Sequence, residues 1–233
     1  EGFKLLIELN ALNPKRELTD CGKKMAQLPV DPRYARMIVL AHEQGCLREI
    51  LIIVSALSIQ DPRELSTENR QQAAQKLARF QHSDSDFLGF VNLWDRYERQ
   101  RQELTQAQLK KYCKTNFLSY MRMREWREVH RQLLLGSQQL GLRVNKDGAE
   151  YQSIHQCIIG GALNQIACKA EGRMYLGSRN RKFFLFSSSV LGGSQSKWIV
   201  TSALIETSQT FATLAAKIQP HWVEQMALHL LKR

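Results

Sequence analysis

The sequence predicts an α+β, multidomain chain in which a mainly helical bundle is followed by a small β barrel. Three observations carry that prediction. Apolar residues keep helical spacing from Asp31-Pro32 to about Leu135, Gly141 to Gly148 is rich in turn formers, and the short runs beyond it are aromatic or β-branched.

Phe3 to Leu9 reads as a helix, Asn13-Pro14 as a turn, and Leu18-Thr19 as the entry to a short helix that Leu28-Pro29 ends. Asp31-Pro32 opens the long helical region, where Met37, Ile38, Ala41 and the set Ile50, Leu51, Ile53, Val54, Leu57 share helical spacing. That spacing breaks near Gly45 and at Asp61-Pro62. Residues 67–82 are polar and helical by propensity, and Asp86 to Tyr97 repeats the apolar period through Phe87, Phe90, Val91 and Trp94. Gln100 to Gln108 reads as a solvated helix face and linker. One helix is then expected from about Thr105 to Leu135, stopping before Gly136.

Beyond the turn-rich boundary, Ser153 is placed to cap a helix carrying Ile154, Ile158, Ala162 and Ile166. Arg173 to Leu176, Lys182 to Phe186 and Trp198 to Ile205, divided by Gly177-Ser178 and Gly192-Gly193, are the strands of the barrel. Phe211, Leu214, Ala215 and Ile218 read as helical by spacing, with a strand as the alternative. Pro220 begins a final helix with Trp222, Val223, Met226 and Leu230.

The chain has 233 residues, 43% hydrophobic and 24% charged, so it is not disordered throughout. Its 33 Lys+Arg against 22 Asp+Glu leave a formal charge of +11, which favours a polyanionic partner, nucleic acid first. The excess is localised: residues 96–131 hold ten basic and four acidic side chains, residues 162–233 nine and three, and the remainder is nearly balanced. Two basic segments suggest two halves of one surface, against the alternative of two solvated faces. No apolar run approaches the roughly 18 residues a membrane helix needs, and no membrane partner is expected. The sequence starts at Glu1 in an apolar-periodic stretch unlike a signal peptide, which reads as a piece of a longer protein.

On the expected helix before Gly136, Met123, Trp126, Val129, His130 and Leu133 share one arc while Arg124, Arg127 and Arg131 share the opposite one. Glu128 lies among those arginines, so pairing within the helix competes with contact to a nucleic acid. Arg122 falls on the apolar arc, where its guanidinium needs a partner. It reads first as a structural arginine and second as a ligand contact, and His130 reads as a core histidine.

Five scattered cysteines without a C-x-x-C pair suit a reducing cytoplasm, and His155, Cys157 and Cys168 do not complete a zinc set, so no metal is expected. There is no phosphate-binding G-x-x-x-x-G-K-[ST] string, the only Gly-Lys being Gly22-Lys23 before Lys24. The chain is therefore not expected to hydrolyse ATP, and nothing local marks a nucleophile elbow or a zinc hydrolase.

The stretch LTDCGKKMAQLPVDPRYARMIVLAHEQGCLREILIIVSALSIQDPRE, Leu18 to Glu64, resembles the region just after the motor of DEAH-box RNA helicases. Its marks are Leu18-Thr19, Gly22, Met25-Ala26, Leu28-Pro29, Asp31-Pro32, Ala35-Arg36-Met37, Gly45-Cys46 and Ala56-Leu57-Ser58 closing on Asp61-Pro62. SDFLGFVNLW, Ser85 to Trp94, with Asn116-Phe117-Leu118 and Arg124-Glu125-Trp126, extends the resemblance, which is greatest to the bacterial HrpA-type members.

The resemblance implies three units: the tail of a winged-helix domain at 1–30, a ratchet-like bundle at 31–148, and an OB-type barrel with a terminal helix at 149–233. It implies no cofactor in this chain, ATP and Mg in the parent protein, and as partners single-stranded RNA, RecA-like motor domains of the same protein and a protein activator. The family's His-Pro-Ser-Ser loop stands here as Phe186-Ser187-Ser188-Ser189, so Ser188 and Ser189 match and the His-Pro pair does not.

The expected RNA contacts are Arg173, Tyr175, Arg179, Arg181, Lys182, Ser188 and Ser189 in the barrel, and Arg122, Arg124, Arg127 and Arg131 in the bundle. Hydroxyls and cations would hold phosphates, while Tyr175, Phe183 or Phe184 would stack on bases, although alternation buries at least one of the two phenylalanines. The rival expectation is a docking scaffold for the motor or an activator, with little RNA affinity.

Overall fold

A computed structural model describes residues 2–65 and 68–231. Helix α1 (Gly2–Glu8) leads through a turn into α2 (Asp20–Met25), whose N-cap Thr19 accepts a hydrogen bond from the Gly22 amide. Asp31 caps α3 (Pro32–Glu43) with Pro32 at its start. Gly45, at φ +67°, then turns the chain into α4 (Leu47–Leu57), nearly all of which is buried. Next come α5 (Arg70–Leu77), a 3-10 turn, and α6 (Asp86–Glu103). The helical expectation for 67–82 begins at Thr67, outside the described residues.

The single helix expected from Thr105 to Leu135 is two helices, α7 (Gln106–Thr115) and α8 (Tyr120–Gln139). Phe117 takes φ +55° between them, and Ser119 opens α8 by accepting a hydrogen bond from the Arg122 amide. Local capping overrides a continuous apolar period here. Trp126 of α8 is fully buried at the centre of the bundle. Its indole donates to the Ile52 carbonyl at 3.1 Å and Ser55 Oγ at 2.9 Å, with Phe90 and Trp94 set edge-on to its ring.

The turn-rich stretch after α8 packs back onto the bundle. Cys46, at the N-cap of α4, has no side-chain hydrogen bond to the helix, and Asn145 supplies one from 97 residues away, accepting from the Arg48 amide at 2.8 Å. The Asn145 amide donates in turn to buried Glu49 at 2.9 Å.

Helix α9 (Tyr151–Gly161) begins before Ser153 and ends before Ile166, so two expectations are corrected: Ser153 lies inside the helix, and Ile166 opens a strand. Gly160 and Gly161, at the end of α9, let it lie close against α3. A Cβ at Gly161 would stand 2.4 Å from the Arg33 carbonyl oxygen, and one at Gly160 would stand 2.3 Å from Leu40.

Seven strands follow: β1 (Ile166–Lys169), β2 (Met174–Gly177), β3 (Lys182–Leu185), β4 (Trp198–Thr201), β5 (Leu204–Glu206), β6 (Thr210–Ala212) and β7 (Ala215–Lys217). They form one curled sheet in the order β5-β6-β3-β2-β1-β4-β7, antiparallel except for β3 and β6. Phe211, Ala215 and their neighbours are therefore strand, not helix, because pairing with β3 and β4, distant in sequence, outweighs local spacing. Helices α10 (Pro220–Met226) and α11 (Leu228–Leu231) end the described chain. Ala167, Tyr175, Phe183, Leu191, Ile199, Ala212 and Ala215 fill the sheet's interior. A larger core runs from Leu9 through the bundle and α9 to Val200, Ala216 and Trp222.

His155 sits fully buried where these parts meet. The Tyr151 carbonyl can only accept, so Nδ1–H donates to it at 2.7 Å, and Nε2 accepts from the Ser85 hydroxyl at 2.8 Å. Burial holds the His155 pKa down to about 4, and it does the same for His130, whose ring lies 4.4 Å from that of Trp94. Both histidines stabilise the fold above their unfolded pKa, and that stability is lost as pH falls towards 4, because only the unfolded chain takes up the proton. Each should cost about 2 kcal/mol between pH 7 and pH 5. Urea unfolding at the two pH values should show that loss, reduced by about one histidine's share in His155→Gln.

Candidate nucleic-acid interface

The barrel strands are short, so alternation decides which side chains face inwards. Tyr175 and Phe183 sit opposite each other across β2 and β3 and point into the core, each about 2% exposed or less. Phe184 and Phe186 consequently lie on the other face. Phe211 joins them through the parallel β3–β6 pair, its ring 6.1 Å from Phe184 and 5.3 Å from Phe186. Phe186 keeps 37% of its surface exposed. The three rings line a cleft of about 580 Å³ whose rim carries Lys169, Arg173 and Gln209.

Behind the Phe186–Val190 loop lies a second cleft of 540 Å³, floored by Leu77, Phe80 and Leu93 and edged by Arg63, Arg70 and Ser188. The two clefts share Phe186, Ser187 and Ser189, so they adjoin across the loop. Arg63 is held by the Asp61 carboxylate at 2.7 Å and covers the Phe90 ring, and Arg70 donates to the Ser187 hydroxyl.

The loop is fixed by one carboxylate. Asp86, the first residue of α6, accepts from Ser189 Oγ at 2.5 Å, the Val190 amide at 3.0 Å and the Ala215 amide at 2.9 Å. Burial pushes its pKa above the ordinary carboxylate range, while the Ser189 hydroxyl, the two amides and Arg63 pull it back. Nearby, the Lys217 amide donates to the Asp84 carbonyl, and the Tyr151 hydroxyl reaches the carbonyls of Asp84 and Lys217.

The expected contact residues do not form one cluster. Arg173 lies at one end of β2, on the aromatic cleft, whereas Arg179 and Arg181 lie past the other end and line a different cleft of 830 Å³. Arg181 is paired with Glu206, and Lys182 is exposed at the start of β3. Tyr175 is corrected as a stacking platform: its ring is buried under Lys169, 4.6 Å away, and its hydroxyl donates to the Ser196 carbonyl. Ser188 is exposed, but Ser189 is buried and committed to Asp86.

On α8, Arg122 donates to the Asp61 carbonyl at 3.1 Å, which satisfies a guanidinium on the apolar arc. Arg127 pairs with Glu98 at 2.7 Å, and Arg131 with Glu128, whose carboxyl it draws down to about 2. Arg124 is exposed and forms no ion pair among the described residues.

Phe186, Phe211, Lys169 and Arg70 escaped the sequence reading. Alternation through Phe183–Phe186 could have found Phe186, but Phe211 and Arg70 depend on pairings between distant segments.

Comparison with known proteins agrees with this architecture. Residues 3–30 match the winged-helix family of the helicase associated domain (HA2), residues 31–112 its ratchet-like family, and residues 154–230 the oligonucleotide/oligosaccharide-binding (OB) fold. Over 241 aligned residues the chain is 44% identical to an ATP-dependent RNA helicase HrpA homologue of Haemophilus influenzae. It is 42% identical over 239 residues to the ATP-dependent RNA helicase HrpA of Escherichia coli. Both alignments cover 100% of this chain but only 18% of the relative. The ATP-dependent RNA helicase DHX33 of Drosophila melanogaster is 29% identical over 228 residues, 96% of this chain and 32% of that protein.

Replacing Asp86 by alanine strands two buried amides and a hydroxyl and should lower stability by about 3 kcal/mol. Denaturant titration measures the loss, and hydrogen exchange should quicken first at the Val190 and Ala215 amides.

Proposed function

We propose that this chain, which belongs to the helicase-associated (HA2) and OB-fold region of DEAH-box ATP-dependent RNA helicases of the HrpA type, binds single-stranded RNA and guides it for the motor. The observation that carries the proposal is the aromatic cleft. Phe184, Phe186 and Phe211 offer ring faces and edges beside Lys169 and Arg173, the combination that holds an unpaired strand without reading its sequence. Ser188 and Arg70 extend that surface over the loop into the neighbouring cleft.

The proposed division keeps a winged-helix tail at 1–30, a ratchet-like bundle at 31–148 and an OB-type unit at 149–233. ATP, with Mg, would be hydrolysed by RecA-like domains of the whole protein, which works in the cytoplasm. Motion of those domains would move the strand past this surface, and this chain would regulate them through its grip on the RNA.

Within the proposed contact set, the free cations carry the electrostatic part. Arg124, Arg173, Arg179 and Lys182 have no ion-pair partner among the described residues, unlike Arg127, Arg131 and Arg181. Arg122 supports the bundle through Asp61, and Tyr175 and Ser189 shape the barrel beneath the contacts.

Fluorescence titration of a single-stranded RNA across a salt series tests this. Phe186→Ala should weaken binding by about 1 to 3 kcal/mol. Arg173→Gln should flatten the salt slope by about 0.7 per lost phosphate contact, whereas Arg131→Gln should leave it unchanged. Negligible binding by the intact chain at low salt would favour the docking-scaffold reading instead.

A further inference from the structure

Arg36, in the middle of α3, is only 8% exposed, yet among the described residues no carboxylate lies within ion-pair distance of it. One guanidinium nitrogen donates to the Cys21 sulfur at 2.9 Å, a weak acceptor, and Nε is buried with no acceptor at all. A buried cation without an anion is costly, so the site is chemically incomplete as it stands.

Arg36 lines an open cleft of 470 Å³ between α3, α9 and the terminal helices. The other polar side chains lining it carry no negative charge. Gln225 accepts from Gln156 at 2.6 Å through its amide oxygen, which leaves its NH₂ group free to donate. His229 is fixed by its hydrogen bond to the Glu8 carbonyl at 2.6 Å, so that Nε2 donates, and Asn10 and Gln44 complete the polar wall. Leu40, Met226 and Leu228 form the apolar remainder.

From these residues we infer that the Arg36 cleft is a binding site for a carboxylate on an aliphatic stem, the side chain of a glutamate in a protein segment. A single guanidinium among neutral amides matches one negative charge, and its planar fork suits a carboxylate. The leucine and methionine side chains suit the methylene stem. A phosphate dianion would call for more cations than the cleft supplies. The site is separate from the aromatic cleft, and it gives the chain a protein-binding point independent of RNA.

Titrating the isotope-labelled chain with a blocked glutamate, and with its blocked glutamine counterpart, tests the inference through the Arg36 Nε–H resonance. Glutamate should produce a saturable shift and glutamine none. Arg36→Met should weaken binding by about tenfold or more, as expected for losing a charge-assisted hydrogen bond. Gln225→Glu places a competing carboxylate at the cleft on the exposed side of α10, and it should weaken binding similarly even if Arg36→Met fails to fold. Equal or tighter binding of inorganic phosphate would overturn the carboxylate assignment. An unsaturable response to glutamate, or one unchanged in both variants, would overturn the site.

Discussion

The buried carboxylate of Asp86 ties the helical bundle to the barrel. It stands at the start of α6, a helix of the bundle, yet all three of its closest donors belong to the barrel region: Ser189, Val190 and Ala215. A charge in that position is tolerable only while all three donors are in place, so the bundle and the Phe186–Val190 loop are fixed together. Ser85, one residue earlier, caps α6 and donates to His155 of α9, while Asp84 accepts from Lys217. Three consecutive residues thus join helix, sheet and α9. The loop they hold separates the two adjoining clefts, and that gives the proposed RNA path a defined course.

Much of the helical part was legible because its signals are local. Thr19, Asp31 and Ser85 each precede a helix they cap, and Met123, Trp126 and Leu133 recur at the period that buries them. The break at Phe117 was hidden because the apolar period continues through it, and only the Ser119 cap and the positive φ reveal two helices. In the barrel, the runs at Met174, Lys182 and Trp198 were visible as strands. The Phe211 and Ala215 strands were not, since their pairing partners β3 and β4 are distant in sequence.

The candidate site was legible in its chemistry more than in its geometry. A basic barrel segment with aromatic residues pointed to single strands, but sequence proximity grouped Arg173 with Arg179 and Arg181, which β2 holds apart at its two ends. Tyr175 reads from the sequence as a ring to stack on bases, yet it is one of the most buried rings in the barrel. The arginines of α8 divide in the same way. Glu98, on a different helix, takes up Arg127, and Glu128 takes up Arg131, so net charge overstates what is free to meet a phosphate.

In the proposed complex a single strand runs over the Phe186–Val190 loop between the aromatic cleft and the bundle. Photocrosslinking of a thiouridine-substituted single-stranded RNA to the chain, followed by peptide mapping, tests that course most directly. Adducts should fall within the peptides carrying Phe184, Phe186 and Phe211. Adducts confined to α8, or to the cleft beside Arg179, would contradict it.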